Sequence, residues 1–255
     1  MNSKTLAFLA ALTAIVPGCK KDDPAPPSGG NPAPTTATVK LEIEFFNGAN
    51  PYALTDVLTD SAGNEVRFDK LRFFISNAHL FDDAMNEIAH YEDVYMLADA
   101  STQAVTYDLG TVSAGHIHEI GMNIGLDSAT NHTDPTTFTE APLNDATMHW
   151  FWNPALGYKF MELNGYVDSN GDNVVDATDA AVEYHIATDA LLGEAEFNVH
   201  QDVAGGTTLT IAIHVDLAHL AAQIDLGTNP QSHTTDFPAL AVRMRDALIG
   251  SMELH

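Results

Sequence analysis

The stretch TVKLEIEFFN, residues 38–47, alternates apolar and polar side chains along its length. Val39, Leu41, Ile43 and Phe45 fall on one side of an extended chain, because successive side chains of a strand point to opposite faces. This period of two residues predicts a half-buried β-strand that ends at NGANP. TTLTIAIHV, residues 207–215, alternates in the same way, so a second strand with one buried face is expected there.

Most of the remaining chain also predicts short strands. They are expected at 68–82, 93–98, 104–109 and 115–126, twice within 148–167, and at 181–187 and 195–201. The polar segment 127–147 predicts a loop, and helical spacing is found only from residues 216 and 237 onward. Together these patterns predict an all-β fold, a single β-sandwich or barrel-like domain over residues 38–255 with one or two peripheral helices.

The first residues predict export. Residues 1–18 carry one Lys and a short apolar run, too short to span a bilayer as a helix, which is typical of a signal peptide. They precede Cys19, the only cysteine of the chain, and this arrangement resembles a bacterial lipoprotein signal whose Cys is lipidated. A signal peptide followed by an incidental free Cys is the alternative.

Residues 19–37 are dominated by Pro, Gly, Ser and Thr, and predict a flexible tether. The KKDD run directly after Cys19 resembles the signal that sends Bacteroidetes lipoproteins to the outer face of the outer membrane. We therefore expect an outer-membrane lipoprotein at the cell surface. A periplasm-facing lipoprotein is the alternative.

The net charge restricts the partners of the chain. There are 35 acidic side chains against 10 basic ones, a formal charge of -25. Nucleic acids are excluded as partners, because their binding depends on Lys and Arg neutralising phosphates. Cations are the natural ligands of such a surface, although a solvated acidic surface that only keeps the protein soluble has the same composition.

The segment DSNGDNVVDATD, residues 168–179, has the oxygen-ligand spacing of a calcium loop. It differs from an EF-hand because Asn173 stands at the usual Gly position and Asp replaces the final Glu, as in the calcium loops of dockerin modules. An acidic hairpin loop without an ion is the alternative. The predicted ligands are Asp168, Asn170, Asp172, the Val174 carbonyl, Asp176 and Asp179.

Histidines and tryptophans supply the candidates for a transition-metal site. His116 and His118 are expected to point to the same side of a strand, about 7 Å apart, and imidazole suits copper, zinc, nickel and iron. A partly buried sheet face whose histidines are satisfied by hydrogen bonds is the alternative. MHWFWNPALGYKF, residues 148–160, contains both tryptophans of the chain. If it is extended, Trp150 and Trp152 share one face and His149 lies on the other.

Four segments resemble the MbnP-like copper-binding domain family and follow one another along the chain in the order found in that family. They are KLRFFISNAHL at 70–80, EIGMNIGLDSATN at 119–131, MHWFWNPALGYKFMELNG at 148–165 and EYHIAT at 183–188. The resemblance extends from residue 38 to about 220. It implies a secreted or lipid-anchored β-domain that holds one copper ion. This chain lacks the four cysteines of one branch of the family.

The resemblance also implies a modified site. In some members a tryptophan is oxidised to kynurenine, which makes Trp150 or Trp152 the precursor of a copper ligand. The implied oxidant is a dihaem cytochrome peroxidase of the MauG/MbnH-like type. The resemblance does not identify the histidine ligands one by one. His185 is the first candidate because it lies on a matching segment, followed by His149 and then by His116, His118 and His214.

Three functions remain open at this point. Copper acquisition, storage or delivery is favoured, and no enzymatic activity is expected because the common hydrolase and phosphate-loop motifs are absent from the sequence. A calcium-stabilised β-sandwich could instead use the Trp pair to bind glycans or a protein partner. An oxidase or hydrolase built from scattered histidines is the third alternative.

Overall fold

The computed structural model of the chain describes residue 33 and residues 35–255. The predicted signal peptide at 1–18, the lipidated Cys19 and most of the tether lie outside the described residues. The first strand begins at Thr36 rather than at residue 38. No helix in the described part combines the length and apolar character needed to cross a membrane.

Fourteen strands are present in the described residues. In chain order they are β1 (Thr36–Asn47), β2 (Asn50–Pro51), β3 (Leu58–Thr59), β4 (Glu65–Phe81), β5 (Glu87–Tyr91), β6 (Met96–Asp99), β7 (Ala104–Ser113), β8 (Gly115–Ile124), β9 (Lys159–Val167), β10 (Ala180–Ala187), β11 (Gly193–Val203), β12 (Thr208–Asp216), β13 (Gln231–Ser232) and β14 (Met252–Leu254). The α-helices are α1 (Ser128–Asn131), α2 (Leu217–Ala221) and α3 (Pro238–Gly250). Short 3-10 helices occupy Pro135–Thr137, Ala146–Met148, Pro154–Leu156 and Asp189–Leu191.

The strands form two sheets. One has five strands in the order β14-β12-β1-β2, with β7 also paired to β1. The other has nine strands in the order β11-β8-β4-β9-β10-β13, and the short strands β3, β5 and β6 pair with β4 as well. The central strand β1 runs parallel to β12 and antiparallel to β7.

The two sheets pack face to face around one main core. The alternating apolar residues of β1 are at most 1% exposed, and Phe45 contacts Phe73 of the other sheet with ring centroids 6.3 Å apart. Ile211 and Ile213 of β12 lie in the same core. The β-sandwich prediction is therefore confirmed, and α2 and α3 are its two peripheral helices while α1 is a single turn.

Residues 148–158 do not form the predicted strand. A 3-10 turn ends at Met148, the chain reverses through Asn153 and Pro154, and β9 begins only at Lys159. Gly157 has a φ of 72°, and a Cβ there would lie 2.3 Å from the Asn131 side-chain oxygen. The apolar alternation of this segment is therefore not the period of a strand, and Trp150 and Trp152 do not share one face.

Asp60 joins the turn before β4 to the segment after α2. One carboxylate oxygen accepts hydrogen bonds from the backbone N–H groups of Ala62 and Asn64, both at 2.9 Å. The other accepts from the Asn64 side chain and from the backbone of Leu226, both at 2.8 Å. Burial raises the pKa of Asp60, but the bonds from Asn64, Ala62 and Leu226 outweigh burial and leave this pKa below its ordinary value of 3.8.

We predict that Asp60→Asn lowers the free energy of unfolding by about 1–3 kcal/mol at neutral pH, because an amide NH₂ would face N–H donors that then lose their acceptor. The folded-state pKa of Asp60 is depressed, so its contribution is complete above the unfolded pKa and is lost as pH falls through the folded value. The difference in unfolding free energy between the variant and the wild type should thus become smaller at acidic pH. Chemical denaturation of both proteins at neutral and at acidic pH measures this difference.

Asp82→Asn is the matched control. Asp82 makes the same local turn with Ala84 and Asn86, but this turn is exposed. Its substitution should cost less than that of Asp60. Equal losses for the two variants would contradict the role given to the bonds from the segment after α2.

Candidate metal site

The turn at 149–158 places one tryptophan inside the protein and the other outside. Trp150 is 2% exposed and Trp152 is 55% exposed, and their rings meet edge to face with centroids 4.8 Å apart. The backbone N–H of Trp150 donates to the Gly157 carbonyl at 3.0 Å, which closes the turn. Trp150 is therefore held against the sheet, whereas Trp152 covers it from the solvent side.

His185 on β10 lies beneath the buried indole. The ring centroids of Trp150 and His185 are 5.7 Å apart. His185 is paired across the sheet with Glu162 of β9, which is itself paired with Arg72 of β4. The site thus stands on three neighbouring strands, on the face where these side chains emerge.

A second imidazole comes from the segment after β13. His233 lies 5.1 Å from His185 and 6.1 Å from Trp150, between ring centroids. Thr234 fixes this segment to β10, because its hydroxyl donates to the His185 carbonyl at 2.8 Å and accepts from the Ala187 N–H at 2.9 Å. Thr234 has a φ of 64°, a rare conformation for a β-branched residue, and such strain is concentrated at functional sites.

Carboxylates surround the two imidazoles. Glu183 Oε1 lies 3.5 Å from His185 Nε2 and 3.7 Å from His233 Nε2, and one ligand atom from each of the three residues lies within 4.8 Å of the others. Asp236 accepts from the His233 backbone N–H at 2.7 Å and lies 3.3 Å from its Nδ1. Carboxylates commonly orient metal-binding histidines in this way.

The polar atoms at the centre of this group lack partners. Both ring nitrogens of His185 and Nε1 of Trp150 are buried without a hydrogen bond. Burial, reinforced by the nearby charge of Lys159, lowers the pKa of His185 to about 4, so its ring is neutral at neutral pH. A neutral imidazole with a free nitrogen lone pair is the form that binds a metal ion. The residues therefore fit a metal that prefers imidazole.

Glu162 is not a free ligand of this group. It accepts hydrogen bonds from Arg72 and, at 2.6 Å, from Lys159. Burial raises the pKa of Glu162, but the hydrogen bonds from the two cations outweigh it and keep this pKa below its ordinary value. Burial in turn lowers the pKa of Lys159, an effect that the ion pair with Glu162 opposes.

The other predicted copper ligands do not join His185. His149 contacts Tyr158 instead, with ring centroids 5.2 Å apart. His116 and His118 lie together on β8 beside Asp83, on the same side as predicted, and His214 lies in the other sheet between Phe46 and His255. Of the five predicted histidines, the structure brings only His185 to the Trp pair.

The sequence prediction missed His233, Glu183 and Asp236. His233 and Asp236 belong to QSHTTDF, residues 231–237, where a His precedes an Asp by three positions. This spacing has no special link to metal binding. Their place beside His185 depends on a contact between distant parts of the chain, which periodicity does not reveal.

The predicted calcium loop forms an exposed turn between β9 and β10. Asn173, at the usual Gly position, has a φ of 61°, a left-handed conformation that Asn tolerates. The carboxylate of Asp168 accepts from the backbone of Gly171 and Asn173, and that of Asp179 from Ser169 and Asp176. The loop supplies none of the three clusters of converging metal-ligand atoms in the described residues, and calcium binding stays a prediction.

Comparisons with known proteins identify relatives of this fold. A family model described as MbnP matches residues 36–236. A solved structure, MbnP from Methylosinus trichosporium, is 13% identical, covers 72% of this chain and 77% of its own length, and superposes with a TM-score of 0.49. No curated protein matches the chain.

The burial of the two indoles predicts a fluorescence difference. Trp150→Phe leaves only the exposed Trp152, and should give red-shifted emission that acrylamide quenches strongly. Trp152→Phe leaves only the buried Trp150, and should give blue-shifted emission that is quenched weakly. Identical quenching of the two variants would show that the indoles are equally exposed and would overturn this arrangement.

Proposed function

Because this chain belongs to the MbnP family, we propose that it binds copper, with the ion held by His185 and His233 beside Trp150. The observation that carries the proposal is the buried imidazole of His185, whose two nitrogens have no hydrogen-bond partner. Leaving such a group unpaired costs about 1–3 kcal/mol, and a metal ion bound to one of the two nitrogens would offset that cost for that nitrogen. Imidazole suits copper, and among divalent first-row ions copper binds such ligands most tightly.

The surroundings of the imidazoles favour a binding site for an ion over a binding site for a sugar. Trp150 is too buried to present its ring face to a glycan, and two imidazoles contact it. Glu183 is available as an oxygen ligand, while Asp236 orients His233. A role in copper acquisition, storage or delivery needs no reacting substrate group, and we propose no enzymatic activity.

Trp150 is the tryptophan that we propose as a kynurenine precursor. An indole is a poor ligand, whereas kynurenine presents an aromatic amine and a carbonyl. In the net reaction the C2–C3 bond of the indole is cleaved and the side chain gains two oxygen atoms, while two molecules of hydrogen peroxide are consumed and two waters are left. Hydrolysis of the resulting formyl group then releases formate.

The oxidant in this proposal is a dihaem cytochrome peroxidase of the MauG/MbnH-like type. Trp152 contacts Trp150 and Phe151 edge to face, and Phe151 is 76% exposed. These rings form a continuous aromatic contact from the protein surface to Trp150. The oxidant therefore need not reach the buried ring directly.

Export and lipid anchoring at Cys19, with an outer-membrane location, complete the proposal. They are supported by the sequence of residues 1–19 and the tether-like composition that follows. A calcium ion in the loop at 168–179 is proposed as a structural ligand only, since no residue of this loop belongs to the group of ligand atoms around His185.

Copper titration of the purified chain tests the site. His185→Ala and His233→Ala should each weaken copper binding by at least about 10-fold, since even an outer-shell partner is worth about 10–100-fold. His219→Ala, an exposed histidine of α2, is the matched control and should bind as the wild type does. Unchanged affinity in both site variants would refute the assignment of the ion to this site.

Peptide mass spectrometry of protein from its native host tests the modification. The peptide with Trp150 should carry the mass change of one carbon atom replaced by one oxygen atom, and fragmentation should assign it to Trp150 rather than Trp152. The same protein made without a peroxidase partner should have unmodified tryptophan. A native-host protein with both indoles intact would contradict the kynurenine proposal while leaving the histidine site standing.

A further inference from the structure

A second cluster of metal-ligand side chains lies near the opposite edge of the nine-stranded sheet. His116 and His118 belong to β8 and His200 to the edge strand β11, whereas His185 belongs to β10. Strands β4 and β9 separate β8 from β10. With strands about 4.8 Å apart, this separation is roughly 14 Å, so the two clusters cannot share an ion.

A β-bulge brings the third imidazole of this cluster to the other two. Asn198 pairs with Glu119 and Gln201 with Ile117, so two residues of β11, Val199 and His200, stand opposite His118 alone. His200 has a φ of 48°. Bulges re-aim a side chain in this way and are frequent beside functional sites. The rings of His118 and His200 are consequently only 4.4 Å apart.

Asp83 completes the cluster from the turn between β4 and β5. Its Oδ1 lies 3.5 Å from His116 Nε2 and 3.3 Å from His118 Nδ1. One ligand atom each from Asp83, His116 and His200 lies within 4.8 Å of the others. Nδ1 of His118 is buried and makes no hydrogen bond. Ligand atoms of Asp83, His116 and His200 therefore converge, and His118 approaches the same Asp83 oxygen with a nitrogen that lacks a hydrogen bond.

A carboxylate outside the cluster, that of Asp202, orients the ring of His116. Asp202 Oδ1 lies 2.8 Å from His116 Nδ1, so it accepts the proton of that nitrogen. This contact leaves His116 Nε2, the nitrogen that faces Asp83, free to act as a ligand. A carboxylate behind a ligand histidine is the usual second partner of a metal-bound imidazole.

We propose that His116, His118, His200 and Asp83 form a second metal site, which takes a divalent transition-metal ion such as Zn²⁺ or Cu²⁺. Three imidazoles and one carboxylate are a ligand set that such ions accept. Asp83 and His200 are exposed, so this site loads and releases its ion directly from solvent. It differs in this respect from the buried group around His185.

Zn²⁺ binding to a His185→Ala/His233→Ala double variant tests the proposal with the first site removed. Equilibrium dialysis in the presence of excess Ca²⁺, which occupies carboxylate loops, should detect a bound Zn²⁺ ion. Adding His200→Asn should weaken that binding by more than about 10-fold. Asn tolerates a positive φ and so preserves the bulge. Adding His219→Asn, the matched control, should change nothing.

Imidazole NMR of the wild-type chain gives an independent readout that does not depend on the double variant folding. Zn²⁺ should shift the ring signals of His116, His118 and His200 together and leave that of His219 unchanged. The alternative is that the imidazoles only form ion pairs with Asp83 and Asp202. Absence of Zn²⁺ shifts at these rings, or Zn²⁺ affinity that is insensitive to His200→Asn, would establish that alternative and overturn the proposal.

Discussion

The guanidinium of Arg72 connects the regular sheet to both halves of the metal site. On one side it donates to Glu162, the cross-strand neighbour of His185. On the other side it donates to Asp145 and to Thr147, both at 3.1 Å. Asp145 caps the 3-10 turn that leads into Trp150. One side chain on a central strand thus fixes the indole and supports the imidazole beneath it.

This arrangement has an electrostatic consequence for His185. The buried carboxylate of Glu162 is compensated by Arg72 and Lys159, and a buried charge without such partners would be strongly destabilising. Burial is the main cause of the lowered pKa of His185, and the nearby charge of Lys159 adds to it. The ion-pair network therefore reinforces the effect of burial in keeping the imidazole neutral.

The regular part of the fold was predictable because alternation reports burial directly. In β1 and β12 every second residue faces one core, and a short-range pattern suffices to identify such strands. The same pattern failed at Met148, Trp150 and Trp152, where the turn at Pro154 and Gly157 overrides the apparent period. His233 was not predictable, because its position follows from the hydrogen bonds of Thr234 with a strand nearly 50 residues away. Family resemblance made His185 the first candidate because its strand is a continuous segment, and the structure places it beside Trp150.

The contrast between the two histidine clusters follows from where irregular backbone meets the sheet. At the site of His185, two connecting segments fold over the face of the strands and exclude water, so the ligands are buried and each unpaired nitrogen raises the free energy of the empty protein. At His200 a bulge on an edge strand bends outward, and its ligands stay open to solvent. If an ion occupies the first site as proposed, the packed turn would have to open for its entry, which favours slow exchange. An ion at the proposed second site would meet no such barrier, and the acidic character of the chain would attract cations to it.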